Sequence, residues 1–219
     1  MVILGLTGSI GMGKTVAAGH FRRLGVPVHD SDAAVHRLLA PGGAAVDAIA
    51  EAFPGTVRDG GVDRRAMAER VFGDDEALER LEAIVHPLVR EQTRRFLAGR
   101  ARRRAPLVVL DVPLLFETGG EHRCDAVVCV SAPAFVQRRR VMRRPGMTAG
   151  RFAAILARQM PDAEKRRRAD FVVRTGLGRG HGLRQIRRVV TMALALPARK
   201  WPPRVGPRRR SLTARPQPS

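Results

Sequence analysis

A three-layer α/β/α fold on a parallel sheet is the class this chain predicts, and three observations predict it. Residues 8–15 read Gly8-Ser9-Ile10-Gly11-Met12-Gly13-Lys14-Thr15, a G-x-x-x-x-G-K-[ST] loop directly behind the apolar run Val2-Ile3-Leu4-Gly5-Leu6. A strand that ends in a glycine-rich turn and opens into a helix is the context in which this motif cradles phosphate. Apolar runs then alternate with helical patterns along the chain, as a parallel sheet wrapped by helices requires. Between the second and third runs, about 33–104, the sequence reads almost wholly as helix. Together these give a P-loop NTPase fold with a helical insertion.

Taken in order, the first strand is Val2-Ile3-Leu4-Gly5-Leu6. Helical periodicity begins at Lys14 and extends to Leu24, with Val16, Phe21 and Leu24 on its apolar side. Gly25 ends that helix, and Val26-Pro27-Val28-His29 makes a short second strand. The insertion divides at turns such as Pro41-Gly42-Gly43 and Asp59-Gly60-Gly61 into helices at about 33–39, 44–53, 64–72, 75–81 and 87–103. Leu107-Val108-Val109-Leu110-Asp111 is a continuous apolar run, the pattern of a strand buried on both faces. Residues 126–130 and 171–173 repeat it. Helices are expected at about 133–144, 148–160 and 183–194. Residues 197–219, rich in Pro and Arg with little to bury, read as a disordered basic tail after one domain over 1–196.

The chemistry of the loop assigns its residues. Backbone N–H groups at Gly11, Met12 and Gly13 converge on phosphate oxygens, and the helix that follows aims its positive end at the same anion. Lys14 reaches the β- and γ-phosphates, and the Thr15 hydroxyl suits Mg²⁺. Asp30-Ser31-Asp32 lies at the carboxyl end of the second strand, where ligands bind in open α/β sheets. On an extended segment both carboxylates face one side, fit to take a proton from an acceptor hydroxyl. Ser31 or Asp32 could instead cap the next helix. Asp111, ending a buried strand, is either a Mg²⁺-holding acid or a solvated strand end. Pro113-Leu114-Leu115-Phe116-Glu117 is a core-closing loop or a substrate wall. Arg140 and Arg144 share one helix face and could clamp phosphates from a lid at about 137–160.

Composition narrows the alternatives. The chain carries 40 Lys and Arg against 20 Asp and Glu, a formal charge of +20. Only Lys14, Lys165 and Lys200 are lysines, so arginine enrichment belongs to the whole chain and not to one patch. With no Tyr and Trp201 as the one Trp, a base-stacking platform is not expected, and no specific nucleic-acid partner is assigned. No run is long enough to span a membrane, and Gly5 and Gly8 interrupt the first apolar stretch, so a cytoplasmic location without membrane attachment is expected. Cys124 and Cys129 read as reduced structural thiols.

The combination of Leu6-Thr7-Gly8-Ser9-Ile10-Gly11-Met12-Gly13-Lys14, the Asp-x-Asp at Asp30 and Asp32, His86-Pro87-Leu88, Asp111-Val112-Pro113-Leu114-Leu115-Phe116-Glu117, and Gln137-x-x-Arg140 with Arg144 resembles the dephospho-coenzyme A kinase family. The resemblance runs from Val2 to about Leu196. It implies phosphorylation of a ribose 3′-hydroxyl of dephospho-CoA by ATP with Mg²⁺. Asp32 would be the base, with Lys14 and Arg140 stabilising the transferring phosphoryl group. Gly11, Met12, Gly13, Lys14, Thr15, Val16, Arg144 and Thr175 would hold ATP, and Thr15 and Asp111 the metal. Asp30, His86, Pro113, Leu114, Leu115 and Glu117 would face the acceptor, in a monomer or weak homo-oligomer. Thr15 stands where the family usually has Ser, and Arg174-Thr175-Gly176 where an Asn usually follows the last strand. The rival readings are a P-loop kinase for a nucleoside monophosphate or sugar acid, and an arginine-rich nucleic-acid-binding protein.

Overall fold

The computed structural model describes residues 1–202. Five parallel strands form the central sheet: β1 (Val2–Thr7), β2 (Val28–Asp30), β5 (Leu107–Asp111), β6 (Ala126–Ser131) and β7 (Phe171–Arg174), in the order β2-β5-β1-β6-β7. Helix α1 (Lys14–Arg23) and helix α9 (Arg179–Leu194) cover one face. The other face is closed by the lower part of α5 (Asp75–Arg102) and the loop after β5. Alternate residues of β1 serve the two layers. Val2, Leu4 and Leu6 pack with Phe21 and Ile186, whereas Ile3 joins Val108, Val127 and Leu97. A strand buried on both faces is apolar throughout, which is why these runs show no alternation.

The insertion has its own core, in which Leu38 of α2 (Ser31–Leu39), Ile49 of α3 (Val46–Ala52) and Met67 of α4 (Arg64–Val71) meet Val85 of α5. It also contains an unforeseen hairpin, β3 (Val57–Arg58) with β4 (Gly61–Val62). Asp59 and Gly60 both take positive φ, 49° and 72°. That is the Asp-Gly turn whose twist suits a two-residue hairpin loop. The two helices expected over 75–81 and 87–103 are one, 28 residues long or about 42 Å at 1.5 Å per residue, with Pro87 inside it. Pro87 removes one backbone hydrogen bond. Leu81, Ile84, Val85, Leu88 and Val89 pack on the insertion core from both sides of it, and that burial carries the helix through.

Three more helices complete the chain: α6 (Ala134–Met142), α7 (Ala149–Ala157) capped by Thr148, and α8 (Asp162–Arg168), which the periodicity did not indicate. The expected tail begins later than composition suggests. Asp125 accepts hydrogen bonds from the backbone N–H groups of Arg199 (2.7 Å) and Lys200 (3.0 Å), and Trp201 packs beside Ile3, Leu97 and Cys124. Residues 203–219 of that expectation lie outside the described residues. Both cysteines are free and buried, and burial pushes each thiol up to about 12. Among the described residues no helix is long and apolar enough to cross a membrane.

Candidate active site

The sheet register assembles the charged groups. Leu6 of β1 lies opposite Asp111 of β5, and Asp111 lies opposite Asp30 of β2, so the glycine loop and both acids leave adjacent strand ends. Gly13 precedes α1 at φ 91°, and no side chain caps the helix, so its first N–H groups remain open to an anion. A Cβ at Gly13 would stand 3.1 Å from Thr175 Oγ1 and 3.4 Å from Arg140 Nη1, which shows how closely the walls approach the loop. Lys14 Nζ donates to Asp111 Oδ1 at 2.7 Å. Asp111 is 2% exposed. Burial pushes its carboxyl up, the Lys14 charge opposes this, and the charges of Asp30 and Asp32 add to the rise. It is therefore no solvated strand end, and its neighbours make it a place that welcomes positive charge.

A cleft of about 350 Å³ opens beside the loop, lined by Gly11, Gly13, Thr15, Val16, Arg140, Arg144 and Thr175 of the expected set. Val16 is 40% exposed here, a correction to its place on the apolar face of α1; Ala17, Ala18 and Phe21 are the residues that α1 buries. Met12 is buried, and its sulfur accepts from Ala132 N. Met12 thus serves the loop through its backbone. Arg140 does not ride on a free lid. Its guanidinium donates to Thr175 O (2.7 Å), Thr175 Oγ1 (3.0 Å) and Gly11 O (3.3 Å), while Thr175 Oγ1 donates to Met12 O at 2.6 Å. Arg140 and Thr175 thereby lock the phosphate loop to the end of β7. Arg144, past the end of α6, is exposed and borders the cleft. Ile10 is held from both ends of the expected lid, its O by Gln137 Nε2 (2.8 Å) and its N by Gln159 Oε1 (3.0 Å).

Sequence reasoning missed His20, Arg179 and Gly182, which line the far end of the cleft. The His20 Nε2 is buried with no hydrogen-bond partner among the described residues, a polar atom free for the edge of a base. The run Gly178-Arg179-Gly180-His181-Gly182 at the start of α9 was the available signal.

On the acceptor side the outcome divides. The Asp30-Ser31-Asp32 segment is not extended, because α2 already begins at Ser31. Asp30 is the cap, its Oδ1 accepting from Ala33 N at 3.0 Å, and neither Ser31 nor Asp32 fills that role. Asp32 stands exposed in the first turn with no hydrogen-bond partner among the described residues. Leu115 is 1% exposed, lying over Gly5, where a Cβ would meet its Cδ2 at 2.6 Å. It is core and not an acceptor wall. Glu117 is also committed elsewhere. Its Oε1 accepts from Lys165 Nζ (2.8 Å) and Met160 N (2.9 Å). Pro113 O accepts from the same Lys165 Nζ (3.1 Å) and from Thr7 Oγ1 (2.9 Å), so its carbonyl binds the loop to β1. Leu114 is 40% exposed and stays available. His86 lies in the middle of α5, exposed, and not at a helix start.

Comparison with known proteins identifies the family. The sequence profile of the dephospho-CoA kinase family matches residues 2–177. The dephospho-CoA kinase of Paramagnetospirillum magneticum is 67% identical over 166 residues, 76% of this chain and 78% of that protein. That of Rhodospirillum rubrum is 57% identical over 202 residues, 91% of this chain and 95% of its own. Among solved structures, TT1252 from Thermus thermophilus superposes with a TM-score of 0.77 at 40% identity, covering 87% of this chain and 96% of that one. The dephospho-CoA kinase from Campylobacter jejuni has the same fold, with a TM-score of 0.58 at 21% identity over 87% and 96% of the two chains. The chain belongs to the dephospho-CoA kinase family.

Proposed function

We propose that this protein transfers the γ-phosphoryl group of ATP to the ribose 3′-hydroxyl of dephospho-CoA, the last step in making coenzyme A. The observation that carries the reading is the meeting of Lys14, Asp111, Asp30 and Asp32 at one sheet edge in a chain of this family. The cleft with Arg140, Arg144 and the unpartnered His20 Nε2 suits the nucleotide. Lys14 then exchanges Asp111 for β- and γ-oxygens and compensates charge as it develops there. Arg140, already pinned by three atoms of the site's walls, needs no reorganisation to face the phosphates. Segment 137–160 acts as the lid, and because Gln137 and Gln159 hold its ends on Ile10, its exposed middle is the part that moves.

Mg²⁺ fits the donor set. Thr15 Oγ1 and Asp111 Oδ2 bond no other group among the described residues, and both are hard oxygen donors. The ion would neutralise charge on the β- and γ-oxygens when bound. Asp32 is the free carboxylate and takes the hydroxyl proton, whereas Asp30 is occupied by the helix cap.

The test is ATP turnover with dephospho-CoA, a nucleoside monophosphate and gluconate. Turnover with either of the last two and none with dephospho-CoA would overturn the reading. Asp32→Asn keeps the shape but cannot take a proton, so turnover drops by about 10²- to 10⁴-fold with ATP affinity retained. Asp30→Asn keeps the cap, since Asn caps as well as Asp, and stays active. The reverse pattern moves the base to Asp30.

A further inference from the structure

At the other pole of the molecule, below the amino ends of the strands, lies a groove of about 1040 Å³, roughly three times the volume of the cleft at the phosphate loop. Three separate parts of the chain supply its walls: α5 with Arg90 and Arg94, the turn before β6 with Arg123, and the segment after α9 with Arg199, Lys200 and Trp201. Asp125 is the acid of the groove wall, and it is spent internally. Its carboxylate accepts from Ile3 N (2.8 Å), Arg199 N (2.7 Å) and Lys200 N (3.0 Å), which fastens the C-terminal segment to the foot of β1. Arg94 pairs with Glu91. Arg90, Arg123, Arg199 and Lys200 have no acidic partner among the described residues, and all four are exposed.

Four uncompensated cations around a half-buried indole form a site for phosphates strung beside a stackable base. We propose that this groove binds single-stranded nucleic acid without regard to sequence, with the backbone along the arginines and a base on Trp201. In sequence, Arg204, Arg208, Arg209, Arg210 and Arg215 follow Trp201, and no acid follows Asp170. A duplex hides the faces of its bases, so it cannot use the indole. Composition alone gave no reason to expect a stacking platform. The fold supplies one by bringing three basic segments, distant in sequence, around the chain's one Trp.

Because Trp201 is the one Trp and Tyr is absent, intrinsic tryptophan fluorescence reports from the groove alone. The probe is a twelve-residue oligouridine RNA, titrated into the full chain at several salt concentrations. Saturable quenching whose affinity falls steeply with salt is expected. Arg123→Ser with Arg199→Ser should weaken binding about tenfold or more, by loss of two phosphate contacts. Arg187→Ser with Arg188→Ser removes equal charge from the exposed side of α9, across the sheet, and should cost less than about twofold. Kinase turnover stays unchanged in both, which certifies their folding. Equal losses in the two double variants would reduce the effect to diffuse charge and overturn the site. So would equal or tighter binding of a twelve-base-pair duplex or of anionic phospholipid vesicles, or the same quenching by ATP alone.

Discussion

Lys165 illustrates how a single residue can organise a site it does not enter. Its ammonium is fully buried, and it bonds Glu117 Oε1 and Pro113 O, the second of which also accepts from Thr7 at the entry to the phosphate loop. Through Glu117 and Met160 N the same node reaches the end of segment 137–160. Breaking a buried pair leaves the remaining charge desolvated without compensation, at about 3–5 kcal/mol. Lys165→Met should therefore lower stability by that amount in urea denaturation. Lys165→Met combined with Glu117→Gln should recover part of the loss, because no unpaired charge then stays inside. A double variant as unstable as the single one would assign the cost to packing instead. Lys165 differs from the arginines that follow it only in being one of the chain's three lysines, and those arginines are exposed on the same short helix.

At the scale of elements, α2 and α5 shape the surroundings of Asp30 and Asp32. Helix α2 starts one residue after β2 because Asp30 ends the strand and caps the helix at once. Asp30→Ala should cost about 0.5–2 kcal/mol, as the loss of an N-cap does, while Asp32→Ala leaves thermal unfolding nearly unchanged. A calorimetric comparison of the two variants tests which carboxylate caps the helix. In α5 the opposing tendencies are visible within one helix. Pro87 opposes it locally, and the flanking apolar residues enforce it through the insertion core. Local rules end a helix before proline. Here burial over several turns outweighs one missing hydrogen bond.

For the molecule as a whole, acid is the sharpest stress because the net charge is already +20. His29 adds a specific liability. It is 6% exposed on β2, and burial with the nearby Arg37 charge lowers its pKa from 6.5, against a smaller rise from Asp30. Thr93 spends its hydroxyl proton on Val89 O at 2.9 Å, so the His29 Nε2, 3.2 Å from Thr93 Oγ1, carries the hydrogen in the neutral ring. Between the folded value and 6.5 the unfolded chain binds more protons, so stability falls as pH drops below 6.5. His29→Gln, which still donates to Thr93, should flatten the fall as pH drops below 6.5 in urea titrations, set against wild type. Parallel slopes for the two proteins would remove His29 from the acid response.

The amino-acid order by itself determined the sheet strands and the phosphate loop, and brought Lys14 and Thr15 forward as its candidate side chains, because these rest on local backbone chemistry and on apolar runs that strands buried on both faces must show. It also brought Asp30, Asp32 and Asp111 forward as the acids of the site, since strand ends in a parallel sheet are where ligands lie. Local geometry gave Asp30 the helix cap and left Asp32 without a partner among the described residues; tertiary structure decided the rest. It put Leu115 and Glu117 inside the protein, pinned Arg140 to Thr175 and Gly11, and joined α5 across Pro87. It also fastened Arg199 and Lys200 to Asp125. These depend on partners far off in sequence, as Thr175 is 35 and Gly11 129 positions from Arg140. Composition and spacing record which groups a chain owns. Which of them are spent on one another is settled only when the long-range contacts form.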